Sequence, residues 1–108
     1  MKLLFSWSLY NAKQMDYENI LKELRETFKD NKPDLLLNNP EYLLFCATNK
    51  ANWQKEMVEL VNRLKKFINA RIQSLRDGGS DAHVVYRFSF LDMESAFFQF
   101  PPDLEDDD

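Results

Sequence analysis

Between Asn52 and Gly78 the chain repeats apolar residues with the period of an α-helix. Trp53, Met57, Leu60, Val61, Leu64, Phe67, Ile68, Ile72 and Leu75 fall on one wide stripe, about seven turns long. A stripe of that size cannot stay in water, so the rest of the chain must supply an apolar surface to cover it. The helix also has readable ends. Asn52 stands where a cap is wanted, and Asp77-Gly78-Gly79 stops it. Glu56 and Glu59 lie early while Arg63, Lys65, Lys66, Arg71 and Arg76 lie late, the order that complements the helix dipole.

Two segments offer the matching surface. In residues 3–10, Leu3, Phe5, Trp7 and Leu9 alternate with Leu4, Ser6, Ser8 and Tyr10. In residues 83–91, Val84, Tyr86, Phe88 and Phe90 alternate with Val85, Arg87, Ser89 and Leu91. Period two with aromatic residues predicts half-buried strands. Residues 16–29 return to the helical period through Tyr17, Ile20, Leu21, Leu24 and Phe28, with Asp16 as the expected cap. Residues 34–48 read two ways. Asn39 and Pro40 suit a helix start, whereas Leu35–Leu37, a turn at Asn38–Glu41 and Tyr42–Ala47 suit a hairpin. The hairpin is preferred, because Tyr42–Cys46 is apolar on both faces, as in a central strand. Residues 92–100 read as a short helical turn before Pro101-Pro102.

The resulting order, β-α-β-β-α-β, predicts an α+β fold on the ferredoxin-like, split β-α-β plan. Two helices cover one face of a mainly antiparallel sheet, and an acidic C-terminal tail follows. The first and last strands are neighbours in that plan, so Ser6, Ser8, Arg87 and Ser89 share the face away from the helices. If the hairpin reading fails, a smaller sheet with three helices is the alternative. Residues 1–96 are read as a single domain and residues 97–108 as an aromatic-acidic segment.

Charge sets that segment apart. The chain of 108 residues holds 14 basic and 18 acidic side chains. Five of the acids, Asp103, Glu105, Asp106, Asp107 and Asp108, lie in the last six residues, leaving a body of 14 basic against 13 acidic. Beside them stand Phe97, Phe98, Phe100 and Leu104. Charges that steer and rings that anchor suit a partner with a basic groove. The plainer reading packs the Phe residues on the domain and leaves the acids as a solubilising tail.

Catalytic machinery has little to draw on. Cys46 and His83 are the only thiol and the only imidazole. Cys46 sits in an apolar run, where thiols are usually inert, and His83 opens a strand beside Asp81. One Cys and one His build no usual zinc site, and Gly78-Gly79 lacks the Lys-Ser/Thr that follows a phosphate-cradling loop. A metal, a cofactor and enzymatic activity are therefore not expected. The lone cysteine suits a reducing compartment. The opening Met1–Phe5 run is broken at Ser6 and Ser8 before it reaches signal-peptide length, and no stretch nears the ~18 apolar residues of a membrane span.

Leu4-Phe5-Ser6-Trp7-Ser8-Leu9 resembles the first-strand motif of the RNA-recognition-motif family. That resemblance implies aromatic side chains on an open sheet face, stacking on bases. The family's third-strand pattern of basic, Gly, aromatic, Gly, aromatic is absent, since this chain reads Glu41-Tyr42-Leu43-Leu44-Phe45 there. Alternation also puts Phe5 and Trp7 on the face of Leu3 and Leu9, which points to the core. Arg63, Lys66 and Arg76 on the long helix read as a solvated face.

The sequence thus predicts a small non-enzymatic, intracellular protein-binding protein, cytoplasmic with the nucleus left open. It would act as an inhibitor, an adaptor or a complex subunit; inhibitors of immunity or antitoxin type and viral host-targeting proteins share its size and acidity. The expected partner is a protein with a basic groove, and a homodimer through helix 53–76 is a second expectation. A nucleic-acid-binding module is the alternative.

Overall fold

The computed structural model describes residues 2–31, 34–35, 42–47, 51–90 and 95–102, with the side chains of residues 34–35 and 95–97 left out. The fold is α+β. Strand β1 (Lys2–Tyr10) leads to helix α1 (Gln14–Thr27) and a short 3-10 turn (Lys29–Asn31). Strands β2 (Asp34–Leu35) and β3 (Tyr42–Cys46) come next, then helix α2 (Trp53–Asp77), β4 (His83–Phe90) and β5 (Ser95–Phe100). The sheet order is β2-β3-β1-β4-β5, and every neighbouring pair is antiparallel. Four strands are five to nine residues long, and β2 extends one edge by only two.

The alternation in β1 and β4 sets which face is covered. Leu3, Phe5 and Trp7 of β1, Leu43 and Phe45 of β3, and Val84, Tyr86 and Phe88 of β4 are all buried. They join Ile20 and Leu24 of α1 and Met57, Leu60, Leu64, Ile68 and Ile72 of α2 in one core. Both helices therefore lie on one face of the sheet. The stripe on α2 finds its surface within the same chain: Leu60, Leu64 and Ile68 are buried, Trp53 is half-buried, and Val58 at its margin stays exposed. An ion pair between Arg71 and Glu23 ties the two helices together on their outer side.

Several expectations need correction. Residues 95–100 form a strand, not a helical turn, and pair along β4 from Ser89↔Ser95 to Val84↔Phe100. Pairing with β4 satisfies backbone groups that one isolated helical turn would leave open. Helix α1 begins two residues earlier than expected, with Lys13 at the cap position. Asp16 stands in its first turn, where its carboxylate accepts the Lys13 backbone N–H at 3.2 Å. Phe28 lies just past the end of α1, its ring edge-on to Phe45 and Phe67 with the Arg63 guanidinium above it. The preferred hairpin reading of residues 34–48 holds for β3, which pairs with β2 through Asp34↔Leu44 and Leu35↔Leu43; of the strand expected at 35–37 only Leu35 is described, and β2 begins one residue earlier. Its turn at 38–41 lies outside the described residues, as does the acidic stretch 103–108.

A polar contact joins the core to helix α2. The Tyr86 hydroxyl donates to Asn69 Oδ1 of α2 at 3.0 Å. Burial pushes the Tyr86 hydroxyl above the ordinary tyrosine value of 10.0. A pKa raised by folding means the folded state holds that proton more tightly than the unfolded chain. Its stabilising effect is complete below the unfolded value and fades as pH rises through the folded one. Stability is therefore expected to fall above about pH 10. In Tyr86→Phe that part of the alkaline fall should vanish, as read from denaturant midpoints at pH 9, 10 and 11.

Candidate functional site

No helix among the described residues covers the second face of the sheet. Strand alternation fixes what it presents. Register sets Leu44, Leu4 and Ser89 in one row, Tyr42, Ser6 and Arg87 in the next, and Ser8, Val85 and Gln99 in the third. Cys46 pairs with Lys2 at one end and His83 with Tyr10 at the other. Most of these side chains are half-buried by their neighbours on the sheet, while Lys2, Tyr10, Cys46 and Gln99 are exposed. A hollow of about 120 Å³ opens where Ser6, Ser8, Tyr42, Val85 and Arg87 meet. That volume is well below the roughly 300 Å³ of an ordinary small-molecule pocket, so this face suits contact with a surface more than enclosure of a ligand.

The register also separates the two groups considered for nucleophilic chemistry. Cys46 lies opposite the first residue of β1 and His83 opposite the last. Eight residue steps of strand hold them about 26 Å apart, far beyond hydrogen-bond reach. Cys46 is exposed and not, as its apolar neighbours suggest, buried. It is the last residue of a strand whose alternation turns Leu43 and Phe45 to the core and Cys46 to the other side. His83 is half-buried, with its ring stacked on Tyr10 at 4.9 Å. Among the described residues no group of three His, Cys, Asp or Glu side chains is placed to hold a metal.

Phe5 and Trp7 lie under the helices, 0% and 2% exposed. Trp7 stacks on Tyr17 of α1 at 5.2 Å, and its Nε1–H meets no acceptor among the described residues. The aromatic residues that resemble a base-stacking motif are therefore core residues. Sequence reasoning did not single out Tyr42, an aromatic residue that does stand in the central row of the uncovered face. Its signal is its place between buried Leu43 and the register partner Ser6.

The aromatic-acidic segment is divided by the fold. Phe98 and Phe100 belong to β5, are half-buried and pack against the core. Phe98 stacks on Tyr86 at 5.6 Å, meets Phe88 edge-on at 5.7 Å, and carries the Lys65 ammonium 4.0 Å above its ring. The backbone of Phe97 pairs with Arg87. Gln99 Nε2 donates to the Pro102 carbonyl at 3.3 Å, just before the acids begin. Leu104, Asp103, Glu105, Asp106, Asp107 and Asp108 lie outside the described residues. No helix among the described residues is long and apolar enough to cross a membrane. No family model matches the chain, and neither a curated protein nor a solved structure matches it significantly.

Proposed function

We propose that this chain is a small, non-enzymatic protein-binding protein of inhibitor, adaptor or subunit type, acting inside the cell on a partly basic partner. The uncovered sheet face and the segment from Phe97 to Asp108 form its binding surface. Phe98 and Phe100 hold the segment to the domain, and Asp103, Glu105, Asp106, Asp107 and Asp108 steer the partner. We also read the strand order, β2-β3-β1-β4, as the split β-α-β plan of ferredoxin-like domains, with β5 added at its edge.

One observation carries this reading: the composition of the uncovered face. Among the side chains described, its central rows hold Leu4, Leu44, Val85, three Ser residues, Tyr42, Gln99 and a single charge, Arg87, while register sets Asp34 at the sheet edge beside Leu44. Depletion of charge around a Tyr and an Arg is the pattern of a protein interface core. A second reading, nucleic-acid binding, draws support from the same Tyr42 and Arg87, since an aromatic ring and a guanidinium in one row suit a base and its phosphate.

The test starts with the partner that the full chain isolates from a lysate, then measures binding of the purified pair. Arg87→Ala and Tyr42→Ala should each raise the dissociation rate about tenfold or more, as truncated anchors do. Changing the five terminal acids to Asn or Gln should instead slow association and flatten its salt dependence. Recovery of RNA or DNA with affinity lost in Tyr42→Ala, and no protein partner, overturns the protein-binding reading in favour of the second.

A further inference from the structure

We infer that the outer edge of β5 is a docking edge for an extended peptide whose apolar centre is flanked by Lys or Arg residues. This inference rests on the reading of a partly basic protein partner and names how that partner is held. Strand β5 stands last in the sheet, and among the described residues it pairs with β4 alone. An edge strand presents a row of unpaired N–H and C=O groups, and proteins normally guard such a row. The opposite edge is guarded by brevity, because β2 is two residues long.

Among the described residues strand β5 has no comparable guard. Its six residues, Ser95-Ala96-Phe97-Phe98-Gln99-Phe100, contain no charge and no proline. Pro101 and Pro102 lack the N–H needed to carry the ladder further, so the usable edge is one short peptide long.

Charge selects the occupant. In the sequence Asp92 and Glu94 precede the strand, and Asp103 and Glu105–Asp108 follow it. A second copy adding its own β5 in antiparallel fashion would set each acidic tail beside the other copy's Asp92 and Glu94. In parallel fashion it would set tail beside tail. Either arrangement brings like charges together at the ends of the new ladder. A peptide with basic residues on both flanks meets opposite charge at both ends, and its backbone supplies the hydrogen bonds of strand addition.

The experiment uses the full chain and a capped peptide of alternating Val and Thr with two lysines at each end. A version with glutamates in place of the lysines is the charge control. Two versions N-methylated at alternate residues, in opposite phase, are the backbone controls, because only one phase of amides points at the edge. The lysine peptide should bind at least about tenfold more tightly than the glutamate peptide. One N-methylated phase should lose binding while the other keeps it. Amide exchange should slow at alternate residues of Ser95–Phe100. Equal binding of both charge versions, or protection appearing on the uncovered face or on α2 instead, overturns the inference. So does concentration-dependent protection of β5 in the chain alone, which assigns the edge to a second copy. If the isolated protein partner binds with the β5 amides unprotected, the edge inference falls and the proposed function stands. If no basic protein partner exists, the proposed function falls.

Discussion

Phe5→Ala should lower the free energy of unfolding by about 3–5 kcal/mol. Phe5 is fully buried on β1, the middle strand of the sheet, with its ring 5.3 Å from Phe88 and 6.1 Å from Tyr86. Phe98 adjoins both of those rings, so the cluster spans three strands. Such rings interlock through tilted, stacked and edge-on contacts, and the space left by one is filled only in part by its neighbours. Domains of this size are stable by about 5–15 kcal/mol, so the variant should retain only a small margin. Urea titration checks it: the midpoint should fall sharply with the slope unchanged. A loss below about 1 kcal/mol would mean that this aromatic cluster does not organise the core.

Leu64→Ala should cost about 2–5 kcal/mol. Leu64 lies in the middle of α2, is 0% exposed, and sits between the layers where neither helix nor sheet can close on the lost volume. Val58 supplies the contrast on the same helix at 59% exposure. Val58→Ala should stay within about 0.5 kcal/mol of the parent protein. Thermal melts of both variants decide the matter, and equal losses would contradict the covered stripe described above.

The elements legible from sequence are those whose pattern reports on one buried face. Strands β1 and β4 alternate cleanly because the helices cover one side of each and leave the other open. Helix α2 was legible for the same reason, at period 3.6 and with glycines at its end. Strand β5 was not. Phe97 and Phe98 break the alternation, and residues 91–94 between the strands carry no Gly, Asn or Pro to announce a hairpin. Only the pairing with β4, a tertiary fact, makes Ser95–Phe100 extended. The uncovered face was legible in part. Ser6, Ser8, Arg87 and Ser89 followed from alternation, whereas placing Tyr42 among them needed the register of β3 against β1. The exposure of Cys46 escaped because an apolar run does not reveal which of its faces the fold leaves uncovered.

Strand β1 also sets the tempo at which the chain can assemble. It is the earliest strand in the chain, yet its longest partnership is with β4, where Leu3 meets Phe90 and Tyr10 meets His83. Closing that pair requires the intervening helices and the β3 strand to be brought within one loop first, an entropic cost met before any ladder bond forms. Pairing of such distant segments belongs to the slower range of folding, milliseconds and beyond, not the microseconds of local helical folds. On a ribosome, Leu3, Phe5 and Trp7 emerge long before Val84, Tyr86 and Phe88, so the side of the central strand that faces β4 must wait unpaired for most of the synthesis of its own domain, even where β3 already holds the other side.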